Sequence, residues 1–497
     1  MIFRYFGASL CATCLVSSVL ATEANPDAPL SAIDWLNEQP REEPVALPGS
    51  SLEAPVAGSA QTPSVDIAPL DGGPAVGVLP AALSGLPPTL WQGAGAGEVM
   101  AAFRALPAEA LAPVSTLRMR LLLASAAPPG FGDGDAFLLD RVSVLRDLGA
   151  VSEAITLIEE AGSAPGAMSP ALFAEYAELT LLAGVEDQAC LRLASEPLLS
   201  DDLALRIFCL ARGGDWNAAA VTLRSAQALG DVDATTSVLL EQFLEPELAD
   251  GSPPELDTSQ VTPLLFRLTE AVGTPFSPSD LSRDFAVTGL EPDKGWKAQL
   301  DAAERLARSG AVSSNQLFGL YTARVPAASG GAWDRASAVQ ALDAALRAEE
   351  PRQISRALAG ASEAMAAAGL ERALAEMFSD RLAEPSIGEE GAERLLLLSS
   401  RYEEAQTAEP LARALAQGIV SLGTPTSTPL EDALKRGFLV QAPLDAGALG
   451  TRILNALADI EAARSGDFVG LPNALATLQA VGLESAARRA ALALLLT

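Results

Sequence analysis

The chemistry open to this chain is limited first by a residue it lacks: none of its 497 residues is histidine. Without an imidazole there is no ready proton carrier near neutral pH, no Ser-His or Cys-His nucleophile pair, and none of the commonest metal ligand. Of the four cysteines, Cys11 and Cys14 fall in an apolar N-terminal stretch, and Cys190 and Cys209 alone are too few for a structural zinc site. No G-x-S-x-G elbow or S-x-x-K pair occurs. Carboxylates are the exception, because two of the 63 Asp and Glu residues would suffice for glycoside hydrolysis. No pair is set apart from the rest, so the chain is read as a non-enzyme, with a carboxylate-dependent cell-wall hydrolase as the alternative. Asp133-Gly134-Asp135 offers some oxygens of a calcium loop without its spacing or repetition. Asp257-Thr258-Ser259 shares only letters with the aspartic-protease triplet. Neither a metal nor a cofactor is expected.

Residue types that dominate binding hot spots do gather. The run Leu317 to Arg324 leads through Gly330-Gly331 to Trp333, which makes Tyr321, Arg324 and Trp333, with Trp296 nearby, candidate partner contacts. The plainer alternative is a tight turn between helices whose aromatics pack inward. Trp35 is a further candidate, in the island Ser31-Ala32-Ile33-Asp34-Trp35-Leu36, where Ser31 can cap a short turn. With 33 basic residues against 63 acidic ones, the formal charge is -30. Phosphate backbones and anionic lipid would be repelled, so the expected partner is a protein or peptide and not a nucleic acid.

The elements that must position these residues read as helices. Aromatics are 5% and hydrophobics 49% of an alanine-rich chain, so a core has to be assembled from small and aliphatic side chains on closely packed helices. Three segments align on glycines 149, 184 and 214. In each, an alanine follows five residues later (Ala154, Ala189, Ala219) and an apolar residue nine later (Ile158, Leu193, Leu223). Such a pattern predicts a helix-turn-helix repeat: glycine ends the first helix in a left-handed conformation, and the small residue lets the second helix approach closely. Ser169-Pro170, Ser200-Asp201-Asp202 and Gly230 supply matching start and stop signals. Further helices are expected at Trp296–Ser309, Ala332–Ala348, Gln353–Ala368 and Ala487–Leu496, with glycine turns at Gly369 and Gly482.

Over roughly residues 137–230, and best at Leu210-Ala211-Arg212-Gly213-Gly214-Asp215-Trp216-Asn217-Ala218-Ala219, the chain resembles the tetratricopeptide-like repeat proteins. The resemblance implies an irregular all-α solenoid of helical hairpins that serves as a binding scaffold. In such stacking, Cys190, early on a second helix, and Cys209, on the next first helix, are brought together, so a disulfide is expected in an oxidising compartment.

The organisation expected is a signal peptide over residues 1–21, with Ala24 as the alternative cleavage site, then a disordered Pro/Ala/Gly-rich linker over 22–88. Helical regions over 89–250, 251–422 and 423–497 follow, with soft breaks at 245–263 and 423–429. No later stretch is apolar for long enough to cross a bilayer. Together these features point to a periplasmic scaffold or adaptor, possible roles being envelope, division or flagellar-motor assembly. A weaker alternative is an ice-binding protein, which the alanine content suggests but no regular Thr-Ala face supports.

Overall fold

The computed structural model describes residues 75–497, except 131–133, 164–166, 247–253, 255, 385–389, 408 and 443–446. The expected signal peptide, most of the linker, Trp35 and Asp133 lie outside the described residues. The described residues fall in one compact unit, Ala68–Thr497, so both soft breaks lie within it. The protein is all-helical: among the described residues there are twenty-two α-helices and no strand, only isolated bridges at Val76–Ala126 and Leu79–Ala124. No described helix is long and apolar enough to cross a membrane.

The hairpins form where the glycine spacing requires them. Gly149, Gly184 and Gly214 each adopt positive φ, at 78°, 71° and 86°. They separate the helix pairs Gly134–Asp147/Val151–Ala161, Pro170–Ala183/Asp187–Ser195 and Leu203–Arg212/Trp216–Leu229. Ala154, Ala189 and Ala219 are buried, as are Ile158, Leu193 and Leu223, so the second helix of each pair lies close against the first. Ser169 caps Pro170–Ala183 by accepting from Leu172 N, and Asp202 caps Leu203–Arg212 by accepting from Ala204 N and Leu205 N. Cys190 and Cys209 are bonded, with their Cα atoms 5.0 Å apart. The bridge ties the second hairpin to the third and stabilises the fold by about 3 kcal/mol through the loop it closes. Downstream, helices span Trp296–Ser309 and Ala332–Ala348 as the sequence predicts, and Pro351–Ala366 and Glu484–Leu495 with ends shifted by one to three residues.

The expected end of the linker at residue 88 needs correction, because the fold has begun by residue 76. Val76 N donates to Ala126 O (3.2 Å), Leu79 N to Leu123 O (2.9 Å) and Ser125 N to Leu79 O (2.8 Å). Composition pointed to a tether, yet Leu86, Leu90 and Trp91 are apolar enough to be buried, and backbone pairing satisfies the polar groups between them.

Helix Ala112–Leu123 is the hub of the unit. None of its residues is exposed, and it buries Val114, Ser115, Leu117, Arg118, Leu121 and Leu122, as a helix enclosed by others does. Helices Leu449–Arg464 and Glu484–Leu495 pack on it, and Arg372 donates to Thr116 Oγ1 at 3.0 Å. The start of the folded chain is thereby joined to its end. Ala448 N donates to Gln92 O (2.8 Å) and Gly450 N to Leu90 O (2.9 Å). Trp91, 0% exposed, sits edge-on to Phe103 and Phe137 with centroids 5.8 and 5.9 Å away. A Cβ on residue 450 would come within 2.2 Å of the Trp91 ring, so only glycine lets that helix approach. A simple row of hairpins leaves its first and last members apart; here they touch.

Arginines close the helix ends. The fully buried Arg141 has no carboxylate partner among the described residues; it donates to Leu122 O (2.9 Å), Ala124 O (3.1 Å) and Val76 O (2.9 Å). Burial pulls its pKa down to about 10, and the C-terminal carbonyls of Ala112–Leu123 supply the negative potential it needs. Arg118 similarly holds Pro107 O (2.8 Å) and Ala108 O (3.0 Å), and Arg267 holds Leu181 O (2.7 Å).

Candidate functional site

Three neighbouring helices, Leu203–Arg212, Ala234–Leu244 and Pro263–Ala271, run in the same direction, and their ends define two cavities. The first, of about 570 Å³, lies at their N-terminal ends against the flank of Pro170–Ala183. Its floor is apolar, from Ala174, Ala177, Leu181, Leu205, Val232 and Leu264, and its acidic residues are Glu178, Asp202, Asp231 and Asp233; no Lys or Arg lines it. The capping chemistry explains two of these acids. Asp202 accepts from two backbone N–H groups, and Asp233 accepts from Thr236 N (3.0 Å) and the Thr236 hydroxyl (2.5 Å). Partial burial raises the Asp233 pKa, but these hydrogen bonds outweigh it and hold the carboxyl below its ordinary range.

The second cavity, of about 600 Å³, lies at the C-terminal ends of the same helices. Phe208, Phe243 and Phe276 line it with Pro275 and Pro278, and its charged wall carries Glu186, Arg212, Arg267, Glu270, Glu291, Asp293 and Lys294. Phe208 and Phe243 stack with centroids 5.7 Å apart, and Trp216 lies 5.9 Å from Phe243.

The candidate contacts picked from sequence are placed differently. Tyr321 is 0% exposed; its hydroxyl donates to Glu304 Oε1 (2.8 Å), which also accepts from Arg335 Nε (2.7 Å). Burial and the Glu304 carboxylate together push the phenol well above its usual range. Trp296 is buried as well, donating to Leu320 O (2.8 Å), with the half-buried Trp333 edge-on at 5.0 Å. Tyr321 and Trp296 therefore present no face to a partner, because their polar atoms found partners inside the fold. Arg324 alone of this group is exposed.

Three carboxylates converge on Arg146, which binds Asp284 (2.8 Å), Glu175 (3.1 Å) and Glu178 (2.5 Å). Burial raises the Glu175 carboxyl against the pull of Arg146, and burial followed by the Asp284 charge raises Asp147. Three of these acids grip one guanidinium and tie helices Gly134–Asp147 and Pro170–Ala183 to the 3₁₀ segment Arg283–Leu290. Asp257 closes a surface turn, accepting from Ser259 N and its hydroxyl at 2.8 Å each.

Both cavities were missed in the sequence because each draws on residues spread over 90 positions or more. The capping acids Asp202 and Asp233 were a signal for the first; only their convergence was hidden. Comparison with family models, with curated proteins and with solved structures finds no match for this chain.

Proposed function

We propose that the protein is an exported, periplasmic scaffold or adaptor whose tetratricopeptide-like hairpins hold a basic segment of a partner protein in the cavity at the N-terminal ends of the three parallel helices. One observation carries this reading: an apolar floor is edged by Asp202, Asp231 and Asp233, and among the described residues none of these three acids has an ion-pair partner. A segment with apolar side chains between Lys or Arg residues complements both features. Supporting the location are the apolar stretch ending at Ala21, which reads as a secretory signal, and the Cys190–Cys209 bridge, which suits an oxidising compartment.

A photo-crosslinking residue in place of Val232, in the full chain in its native cell, would capture the occupant for identification by mass spectrometry. The captured segment should carry net positive charge. The purified partner should bind Asp231→Lys about tenfold or more weakly at low salt, with the difference shrinking as salt rises. A neutral or acidic captured segment, or unchanged affinity for Asp231→Lys, overturns the proposal.

A further inference from the structure

Two arginines from distant parts of the chain converge on one surface carboxylate. Glu109 lies in the turn between helices Ala96–Ala105 and Ala112–Leu123, and its side chain is 49% exposed. Arg283 Nη2 donates to its Oε1 at 2.9 Å, and Arg308 Nε approaches the same oxygen at 3.9 Å, beyond hydrogen-bond range. Both stems are laid over glycine turns: a Cβ on Gly149 would stand 3.3 Å from Arg283 Cγ, and one on Gly369 would stand 3.6 Å from Arg308 Cδ. The backbone of the Glu109 turn is pinned independently, by Arg118 on Pro107 O and Ala108 O and by Arg464 on Glu109 O (3.2 Å). The Glu109 side chain can therefore swing into solvent while the turn and both guanidiniums stay in place.

The other charges nearby are committed elsewhere. Asp284 is held by Arg146 (2.8 Å), which Glu175 and Glu178 also bind, and Glu461 accepts from Leu111 N. The exposed Asp147 is shared electrostatically among Arg146, Arg104 and Arg283. Arg305 spends its donors on Pro278 O (2.8 Å) and Leu281 O (2.7 Å). Burial first, then repulsion from Arg283 and Arg308, pushes its pKa below the usual range, so Glu109 leaves positive charge uncompensated here. The C-terminal end of helix Trp296–Ser309 steadies Arg308 without filling its fork, and Nη1 reaches Ala368 O only at 3.4 Å. Arg283 Nε is enclosed by the fold, so the edge it offers a ligand is that of its terminal nitrogens. A planar carboxylate faces one fork at a time, whereas the four oxygens of a tetrahedral ion can meet two. The net charge of -30 opposes any anion, but charges beyond about 10 Å are screened at about 0.1 M salt. We propose that Arg283 and Arg308 form a seat for a tetrahedral oxyanion, phosphate or a phosphate ester, in which Glu109 is a resident stand-in that swings out as the ion enters. The seat is separate from the acid-edged groove and does not depend on the function proposed for it.

The test is calorimetric titration of the full chain, at constant ionic strength, with inorganic phosphate, glycerol 1-phosphate and, as the planar control, acetate. Phosphate should bind at least about tenfold more tightly than acetate. Tighter binding of glycerol 1-phosphate than of phosphate identifies the occupant as an ester, and the reverse order as the free ion; both orders support the seat. Glu109→Gln removes the competing carboxylate and should tighten phosphate about tenfold. In that background Arg283→Gln and Arg308→Gln should each weaken it about tenfold, with the helical signal retained. Should Arg283→Gln fail to fold, Arg308→Gln, at a half-buried position, makes the same test. Absence of phosphate binding to Glu109→Gln at about 10 mM, equal binding of acetate, affinity unchanged by Glu109→Gln, or undiminished binding by a folded Arg308→Gln overturns the proposal.

Discussion

Gly450→Ala probes the contact between the two ends of the folded chain. The added methyl carbon would lie 2.2 Å from Trp91 Cζ3, 2.3 Å from Cε3 and 3.1 Å from Leu90 O. Carbon atoms pack at about 3.5–4.0 Å, so the helix or the ring must move by more than about 1 Å. Overpacking of this kind costs about 1–3 kcal/mol. If the shift also breaks the bonds from Ala448 N and Gly450 N, about 1 kcal/mol is lost with each. Alanine's helix preference returns at most about 1 kcal/mol, leaving a net loss of about 2–4 kcal/mol when both bonds are broken. Gly360→Ala is the matched control: Gly360 lies inside helix Pro351–Ala366 with nothing within 4 Å of its would-be Cβ. That variant should gain about 0.5–1 kcal/mol. Trp91→Phe removes the ring atoms that clash, so in its background Gly450→Ala should cost at least about 1 kcal/mol less. Urea unfolding of the full chain, followed by circular dichroism, measures all four variants. A Gly450→Ala protein as stable as its parent would refute the docking of helix Leu449–Arg464 on Trp91.

Two other perturbations test the interior. Arg141→Met leaves the carbonyls of Leu122, Ala124 and Val76 without their donor in a buried site, which should cost about 3 kcal/mol or more in the same urea assay; an unchanged midpoint would show that the clamp contributes nothing. For pH, burial raises the carboxyls of Glu153, Glu175, Asp147, Asp459 and Glu461 in the folded chain. The folded state therefore binds protons before the unfolded state does, and stability should rise as pH falls from 7 toward about 5. Below about 4 the opposite group dominates: Asp233, and Glu431 with its Ser427 hydrogen bonds, are held low, and their contribution is lost on protonation. Thermal unfolding at pH 7, 5 and 3 should give its highest midpoint at 5, and a steady fall from 7 to 5 would contradict the assignment.

Local structure was legible and long-range structure was not. Gly149, Gly184 and Gly214 mark turns because a left-handed residue after a helix favours the side chain without a Cβ, and the buried alanines at fixed spacing follow from the helical repeat. The Cys190–Cys209 bridge could be anticipated once the two cysteines were placed on adjoining hairpins of that repeat in an oxidising compartment. The junction of Leu90–Gln92 with Ala448–Gly450 left no mark, since neither segment has a periodicity that names the other. Tyr321 and Trp296 showed the limit of composition: Tyr, Trp and Arg beside a Gly-rich turn suit an interface and a core equally, and the choice fell to Glu304 and Leu320 O, which give both side chains internal partners. The 3₁₀ segment Arg283–Leu290 was likewise invisible, being held by packing on Trp296–Ser309 and not by its own pattern.

The junction of the chain's ends also has a consequence for its birth. Leu111 N is bound by Glu461, a partner 350 positions away, and Trp91 receives its last cover only from residue 450. A nascent polypeptide emerges amino end first, so the earliest helices are made with an apolar face that nothing synthesised so far can shield. Completion must wait for the final hairpins, which makes the last step of folding slow and leaves truncated products adhesive.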